Sequence, residues 1–221
     1  MKDIITIDGP SGAGKSTIAK LLAQKLGYSY LDTGALYRAV AWKIREEKAD
    51  PENEKKLKAL LQETDIVFEG NSVKVNGTDV TSRIRSPEIG ELSSKVSGKP
   101  IVREHLFTVQ RQIGLKGKVV IEGRDIGTVI FPEAKHKFFL DASPEERGKR
   151  RHEELKKNNS GLSALAGITV ENTIESIKKR DERDSTRKNS PLKRTKDMIY
   201  IDTNNLAIEE VIKNILGALK T

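Results

Sequence analysis

The chain has 221 residues, 36% of them hydrophobic and 33% charged, proportions that exclude a disordered polymer and allow one sizeable core. Its 40 Lys and Arg against 32 Asp and Glu leave a net charge of +8, which points to an anionic partner without choosing among nucleic acid, an acidic membrane surface and a phosphorylated small molecule. The absence of cysteine excludes disulfides, cysteine-type zinc sites and thiol catalysis, and the three scattered histidines, His105, His136 and His152, suggest no metal site.

Met1 to Pro10 carries too short an apolar run for a secretory signal, and no later run approaches the roughly 18 apolar residues of a spanning helix. A cytoplasmic protein without a membrane partner is expected. Ile4 to Ile7 is a β-branched apolar run closed by the turn residues Asp8-Gly9-Pro10, which predicts a buried strand, and a helix is predicted from Lys15 to about Leu26. Tyr28 to Leu31 predicts a second strand, followed by a helical pattern through Leu36, Val40, Trp42 and Ile44 to about Glu47. This alternation is that of an α/β fold with a parallel sheet.

After a helix at Glu52 to Gln62 the period changes. Ile66-Val67-Phe68, Val73-Lys74-Val75 and Val80, separated by Gly70-Asn71 and Asn76-Gly77, predict a small antiparallel meander within about Thr64 to Ile84, the sheet of an inserted lobe. Helices at about Pro87 to Val96 and Ile101 to Leu115 return the chain to the main sheet. Val119-Val120-Ile121, His136 to Leu140 and Met198 to Ile201 supply further core strands, and a terminal helix spans about Ala207 to Leu219. Two charge-rich helices, Pro144 to Lys157 and Val170 to Arg183, are joined by the Asn/Ser/Gly-rich loop Asn158 to Gly167.

Gly9-Pro10-Ser11-Gly12-Ala13-Gly14-Lys15-Ser16 satisfies G-x-x-x-x-G-K-[ST] and lies between a predicted strand and a predicted helix, the setting that the motif requires. Backbone N–H groups of a glycine-rich loop surround phosphate oxygens because no side chains obstruct them, and the helix N-terminus adds positive potential. Lys15 would reach the β- and γ-phosphates and the Ser16 hydroxyl would ligate Mg²⁺. A chance glycine-rich turn is the alternative. The motif marks a nucleotide user, and the absence of an N-K-x-D element disfavours a GTPase.

Three segments could hold an acceptor against the transferring phosphoryl group, a task for which the planar fork of Arg is suited. Asp32-Thr33-Gly34-Ala35-Leu36-Tyr37-Arg38 runs from a strand end into a helix, with a capped start and a solvated Arg38 as the plain alternative. Glu122-Gly123-Arg124-Asp125-Ile126-Gly127 follows a strand, where Glu122 is placed to help hold the metal and Arg124 and Asp125 to meet the acceptor, against a structural glycine turn. Arg180, Asp184 and Arg187 share a helix face by i, i+4, i+7 spacing, and Arg147, Lys149, Arg150 and Arg151 crowd the other charged helix; either a closing lid or a solvated face of ion pairs would explain them.

DGPSGAGKST at 8–17, LDTGALYR at 31–38, EGRDIGTVIFP at 122–132, FLDASPEER at 139–147 and KKRDERDSTR at 178–187 together resemble the bacterial cytidylate kinases, a branch of the nucleoside monophosphate kinases. The resemblance implies a P-loop kinase core with helices on both faces of a parallel sheet, an acceptor-binding lobe with a small antiparallel sheet, and a short helical lid. On that pattern one domain, 1–221, divides into a core (1–33, 101–145, 190–221), an acceptor region with insert (34–100) and a lid with basic helices (146–189).

The resemblance further implies transfer of the γ-phosphate of ATP to CMP or dCMP with Mg²⁺. Gly9, Pro10, Ser11, Gly12, Ala13, Gly14, Lys15, Ser16 and Thr17 would bind ATP, with Ser16 and Glu122 on the metal side. Thr33, Tyr37 and Arg38 would line the acceptor pocket, with Arg38 and Arg124 on the monophosphate, Arg180, Asp184 and Arg187 on sugar and phosphate, and Ser94, Arg103 and Asp125 on the cytosine edge. Lys15, Arg124, Arg147 and Arg151 would act on the transferring group. Small nucleotides are then the partners of a monomer, and nucleic acid is not. A UMP or metabolite kinase, a nucleic-acid-dependent ATPase and a nucleotide-binding regulator are the rival readings; an aromatic content of 5% offers the second little stacking surface. Glu122 departs from the Asp of many relatives.

Overall fold

A computed structural model describes residues 3–69, 72–158 and 169–219, and the chain divides into two compact units. The first comprises residues 1–31, 117–187 and 191–221. It is built on strands β1 (Ile4–Asp8), β2 (Ser29–Asp32), β6 (Val119–Gly123), β7 (His136–Asp141) and β8 (Ile199–Asp202), ordered β2-β6-β1-β7-β8. The β6–β1, β1–β7 and β7–β8 ladders are parallel, with Asp8 opposite Gly123 and Ile7 opposite Phe138.

Every residue of β1 and β6 is buried, which is why they read as continuous β-branched runs and not as alternating ones. Ile5, Ile7, Val120, Phe138 and Leu140 pack with Ile18 and Leu22 of helix α1 (Lys15–Leu26) and with Val211, Ile212 and Ile215 of helix α8 (Ile208–Ala218). Each such side chain contributes roughly 1.5–3 kcal/mol by leaving water. Helices α6 (Pro144–Asn158) and α7 (Val170–Thr186) lie against each other, and a Cβ added at Gly148 would stand 2.2 Å from Ile174 Cγ1, so only glycine permits this approach.

Two details depart from the sequence reading. Asp8 and Glu122 are strand residues and not turn residues, because the β1–β6 ladder continues to Asp8 and Gly123. The segment Ile126–Ile130 forms a π-type turn that no local periodicity announces. The expected loop after α6 and the Gly70-Asn71 turn lie outside the described residues.

The second unit comprises residues 32–116 and 188–190. Helices α2 (Thr33–Glu46), α3 (Glu54–Gln62), α4 (Pro87–Val96) and α5 (Pro100–Gly114) accompany a three-stranded antiparallel sheet of β3 (Ile66–Glu69), β4 (Ser72–Val75) and β5 (Thr78–Asp79). In β4 the valines Val73 and Val75 are buried and alternate with half-buried Ser72 and Lys74, as a one-sided sheet demands. Asn76 and Gly77 both take positive φ, 48° and 78°, in the hairpin between β4 and β5. Among the described residues no helix is long and apolar enough to cross a membrane.

Candidate active site

The phosphate loop leaves β1 at Gly9, whose φ of +145° is joined to a backbone contact: a Cβ there would lie 1.9 Å from the carbonyl oxygen of Leu140. Gly14 caps α1 in the left-handed conformation with no side-chain hydrogen bond, so no side chain of the cap occupies the first N–H groups of α1. Lys15 is buried and its Nζ donates to the Pro10 carbonyl at 2.6 Å. Burial lowers its ammonium pKa to about 7, helped by the charges of Arg124 and Arg180 and opposed by Glu122 and Asp8. A phosphate placed here would restore the lysine's charge. Ser16 and Thr17 are exposed in the first turn of the helix.

At the C-terminal ends of β1 and β6, still within the strands, stand two buried carboxylates. Glu122 Oε1 accepts the hydroxyl of Tyr30 at 2.7 Å. Asp8 accepts the N–H groups of Ile126 at 2.9 Å and Gly127 at 2.7 Å. Burial nevertheless raises Asp8 to about 6, with Asp125 pushing the same way and Lys15 against it. Among the described residues no three His, Cys, Asp or Glu side chains gather into a metal cage. The Ser16 hydroxyl and the Glu122 carboxylate are hard oxygen donors of the kind Mg²⁺ takes in ones and twos while substrate phosphates and water supply the rest. The residues present fit that ion.

Asp184, at the end of α7, organises the basic cluster. Its carboxylate lies 3.0 Å from Arg124 Nε, 3.9 Å from Arg180 Nε and 3.7 Å from Arg187 Nη1. Burial would raise this carboxyl, but the three guanidinium charges and the hydrogen bond from Arg124 hold it below the usual range. Arg187 also stands 3.6 Å from Asp125. The expected i, i+4, i+7 face extends to its last member: α7 ends at Thr186, but the capping Arg187 keeps a helical φ of −59° and donates its N–H to the Arg183 carbonyl at 3.1 Å, which leaves its side chain on the face of Asp184.

Arg147 is 4% exposed and tied to the backbone of the phosphate loop: Nη1 donates to the Ser11 carbonyl at 3.0 Å and to Asp181 at 2.6 Å, and Nε donates to the Ala142 carbonyl at 2.7 Å. Arg151, one turn on, pairs with Glu154 at 2.7 Å on its own helix and is not drawn into this network. Asp181 carries no assignment on the sequence reading.

In the second unit Asp32 caps α2 by accepting the Ala35 N–H at 3.0 Å. The same carboxylate meets Arg85 at 3.0 Å and Arg38 at 4.0 Å, so Arg38 is half-buried rather than solvated. Burial would raise Asp32, but the charges of Arg38 and Arg85 and its hydrogen bonds keep it low. Thr33 and Tyr37 are buried in the first turns of α2, and the Arg103 guanidinium lies over the Tyr37 ring, 5.6 Å from its centre. Arg103 Nη1 also donates to the Ser97 carbonyl at 3.0 Å, and the Ser97 hydroxyl to the Ser94 carbonyl at 2.9 Å. The Ser94 hydroxyl is buried with no hydrogen-bond partner among the described residues.

Like Asp181, Arg85 and Asp8 lie outside the residues expected from the sequence. The arginine sits in a single turn, Arg83–Arg85, with no motif around it. A charged residue closing a β-branched run just before the phosphate loop is the available signal for Asp8.

Residues 5–221 match the sequence profile of a family described as Cytidylate kinase. The chain is 49% identical over 216 residues to a cytidylate kinase of Carboxydothermus hydrogenoformans, covering 96% of this chain and 95% of that one. It is 47% identical over 213 residues to one of Geobacter sulfurreducens, covering 95% and 89%. Among solved structures, a shikimate kinase from Bacteroides thetaiotaomicron aligns over the whole of both chains with a TM-score of 0.51 at 17% identity, a likeness of fold alone.

Proposed function

The chain belongs to the cytidylate kinase family, and we propose that it transfers the γ-phosphate of ATP to CMP or dCMP, giving ADP and CDP or dCDP. The observation that carries the site assignment is geometric: Asp8, at the start of the phosphate loop, accepts the N–H groups of Ile126 and Gly127, just after Arg124, whose Nε donates to Asp184 among the gathered guanidiniums. A donor grip and an acceptor grip tied together are what a two-substrate phosphoryl transfer needs.

Residues 9–17 hold ATP, with Lys15 on its β- and γ-phosphates. Arg38 and Arg124 take the phosphate of CMP, with Thr33 and Tyr37 beside it, while Arg180, Asp184 and Arg187 hold sugar and phosphate. Ser94, Arg103 and Asp125 read the cytosine edge, since its amino group needs an acceptor and its O2 and N3 need donors. Mg²⁺, when bound at Ser16 and near Glu122, neutralises charge on the donor phosphates.

A phosphate oxygen of CMP attacks the γ-phosphorus as the bond to the β-bridging oxygen breaks, and ADP leaves. The attacking oxygen is already anionic and needs no general base. Lys15 and Arg124 stabilise the charge spread over the transferring group, and Arg147, through its bond to the Ser11 carbonyl, steadies the loop that holds the donor. Incubation with ATP, Mg²⁺ and a panel of nucleoside monophosphates and phosphorylated metabolites tests the proposal. CDP and dCDP are the expected products, UMP is expected to react more slowly, and no turnover of CMP or dCMP refutes it.

A further inference from the structure

We propose that Asp8 is a positioning residue for phosphoryl transfer, setting the place of Arg124 and Asp125 through the N–H groups of Ile126 and Gly127. The inference rests on the CMP kinase reading and adds a residue to it.

The first N–H groups of any helical turn lack partners within the turn, and the residue before it commonly supplies an acceptor from its own side chain. In the turn Ile126–Ile130 that residue is Asp125, yet its side chain makes no capping bond. Asp8 caps instead, from a different strand, with Oδ1 on Ile126 and Oδ2 on Gly127. The turn then closes on the Asp125 carbonyl, which accepts the Val129 N–H at 2.9 Å. The substitution leaves the Asp125 carboxylate to face Arg187.

The cap is placed where slack would be felt. Asp8 is fully buried and immediately precedes Gly9, which is pinned against the Leu140 carbonyl. At the other end Gly127 is enclosed, since an added Cβ would lie 2.8 Å from Thr6 Oγ1 and 3.0 Å from Met198 Cε. One carboxylate therefore joins the start of the phosphate loop to the segment that carries Arg124 and Asp125.

The test uses Asp8→Ala, which removes both acceptors, Asp8→Asn, which keeps one, and Arg124→Ala with the double variant, after wild-type turnover of CMP has been established. Absence of that turnover defeats the kinase reading itself; the variants bear on Asp8 alone. Asp8→Ala is expected to lower kcat/KM for CMP about 100-fold and Asp8→Asn about 10-fold, the scale of a misplacement near 1 Å, while the Kd for a fluorescent ATP analogue changes less than about 3-fold. Adding Asp8→Ala to Arg124→Ala should cost little more than Arg124→Ala alone. Wild-type kcat/KM in both variants overturns the proposal. So does an equal loss of ATP affinity, or full additivity with Arg124→Ala, because a merely structural role would produce either. Should Asp8→Ala fail to fold, the same measurements on Asp8→Asn decide.

Discussion

The Asp184 carboxylate accepts the Nε–H of Arg124 at 3.0 Å while 4% of its side chain remains exposed, and Arg180 and Arg187 stand within 4 Å of the same group. One buried anion thus holds three cations that would otherwise repel each other.

Asp184→Ala should therefore do more than remove a substrate contact. Leaving the guanidiniums without their counter-ion costs on the order of 3 kcal/mol, visible as a lower thermal midpoint. CMP turnover should fall alongside. The pH dependence has a definite sign: the folded-state pKa of Asp184 is depressed, so its contribution is complete above the unfolded value near 4 and is lost as pH falls through the lower folded value. Asp184→Asn should flatten the acid limb of the stability curve, and an unchanged limb would contradict the assignment.

Lys15 has a folded pKa lowered to about 7, so it is largely neutral at pH 8.5 before nucleotide arrives. A triphosphate favours the ammonium form. ATP binding at pH 8.5 should take up close to one proton, measurable by calorimetry in buffers of different ionisation enthalpy, and Lys15→Met should abolish the uptake. Absence of uptake in the wild type would show that the lysine is already charged.

Ser94 offers a separation of stability from binding. Its buried hydroxyl has no partner among the described residues, so Ser94→Ala should leave the thermal midpoint nearly unchanged. Loss of a hydrogen bond to cytosine should raise KM for CMP about 10-fold and narrow the preference for CMP over UMP. An unaltered preference would remove Ser94 from the acceptor site.

Gly148→Ala should be destabilising although alanine favours helix. Its Cβ would meet Ile174 Cγ1 at 2.2 Å and the Ile174 Cα at 3.2 Å, and relieving that overlap costs about 1–3 kcal/mol. The double variant with Ile174→Ala should recover part of the loss; failure to do so would place the strain elsewhere.

Most of the fold was legible because the period of the apolar residues changes where the elements change. Val73 and Val75 alternate with half-buried residues and form a sheet buried on one face, while Ile4 to Ile7 run unbroken and form a strand buried on both faces. The phosphate loop was legible because its chemistry requires particular residues at particular spacings. The Ile126–Ile130 turn was not, since its N-terminal acceptor is 118 positions away in sequence. Arg85 was hidden for a similar reason, its partner Asp32 lying 53 positions earlier. Arg147 and Arg151 look alike on paper, one helical turn apart, and only packing makes the first a buried prop of Ser11 and leaves the second paired with Glu154.

From sequence alone, Gly9 to Ser16 declare a phosphate grip, because a glycine-rich loop between strand and helix binds through its own backbone and needs no distant partner. Which arginines are gathered, on which carboxylate, and what holds Arg124 and Asp125 in place were decided only by the tertiary structure. Those properties depend on charges brought together from Asp8, Arg124, Asp184 and Arg187, and neither their distances nor their burial can be computed from spacing along the chain.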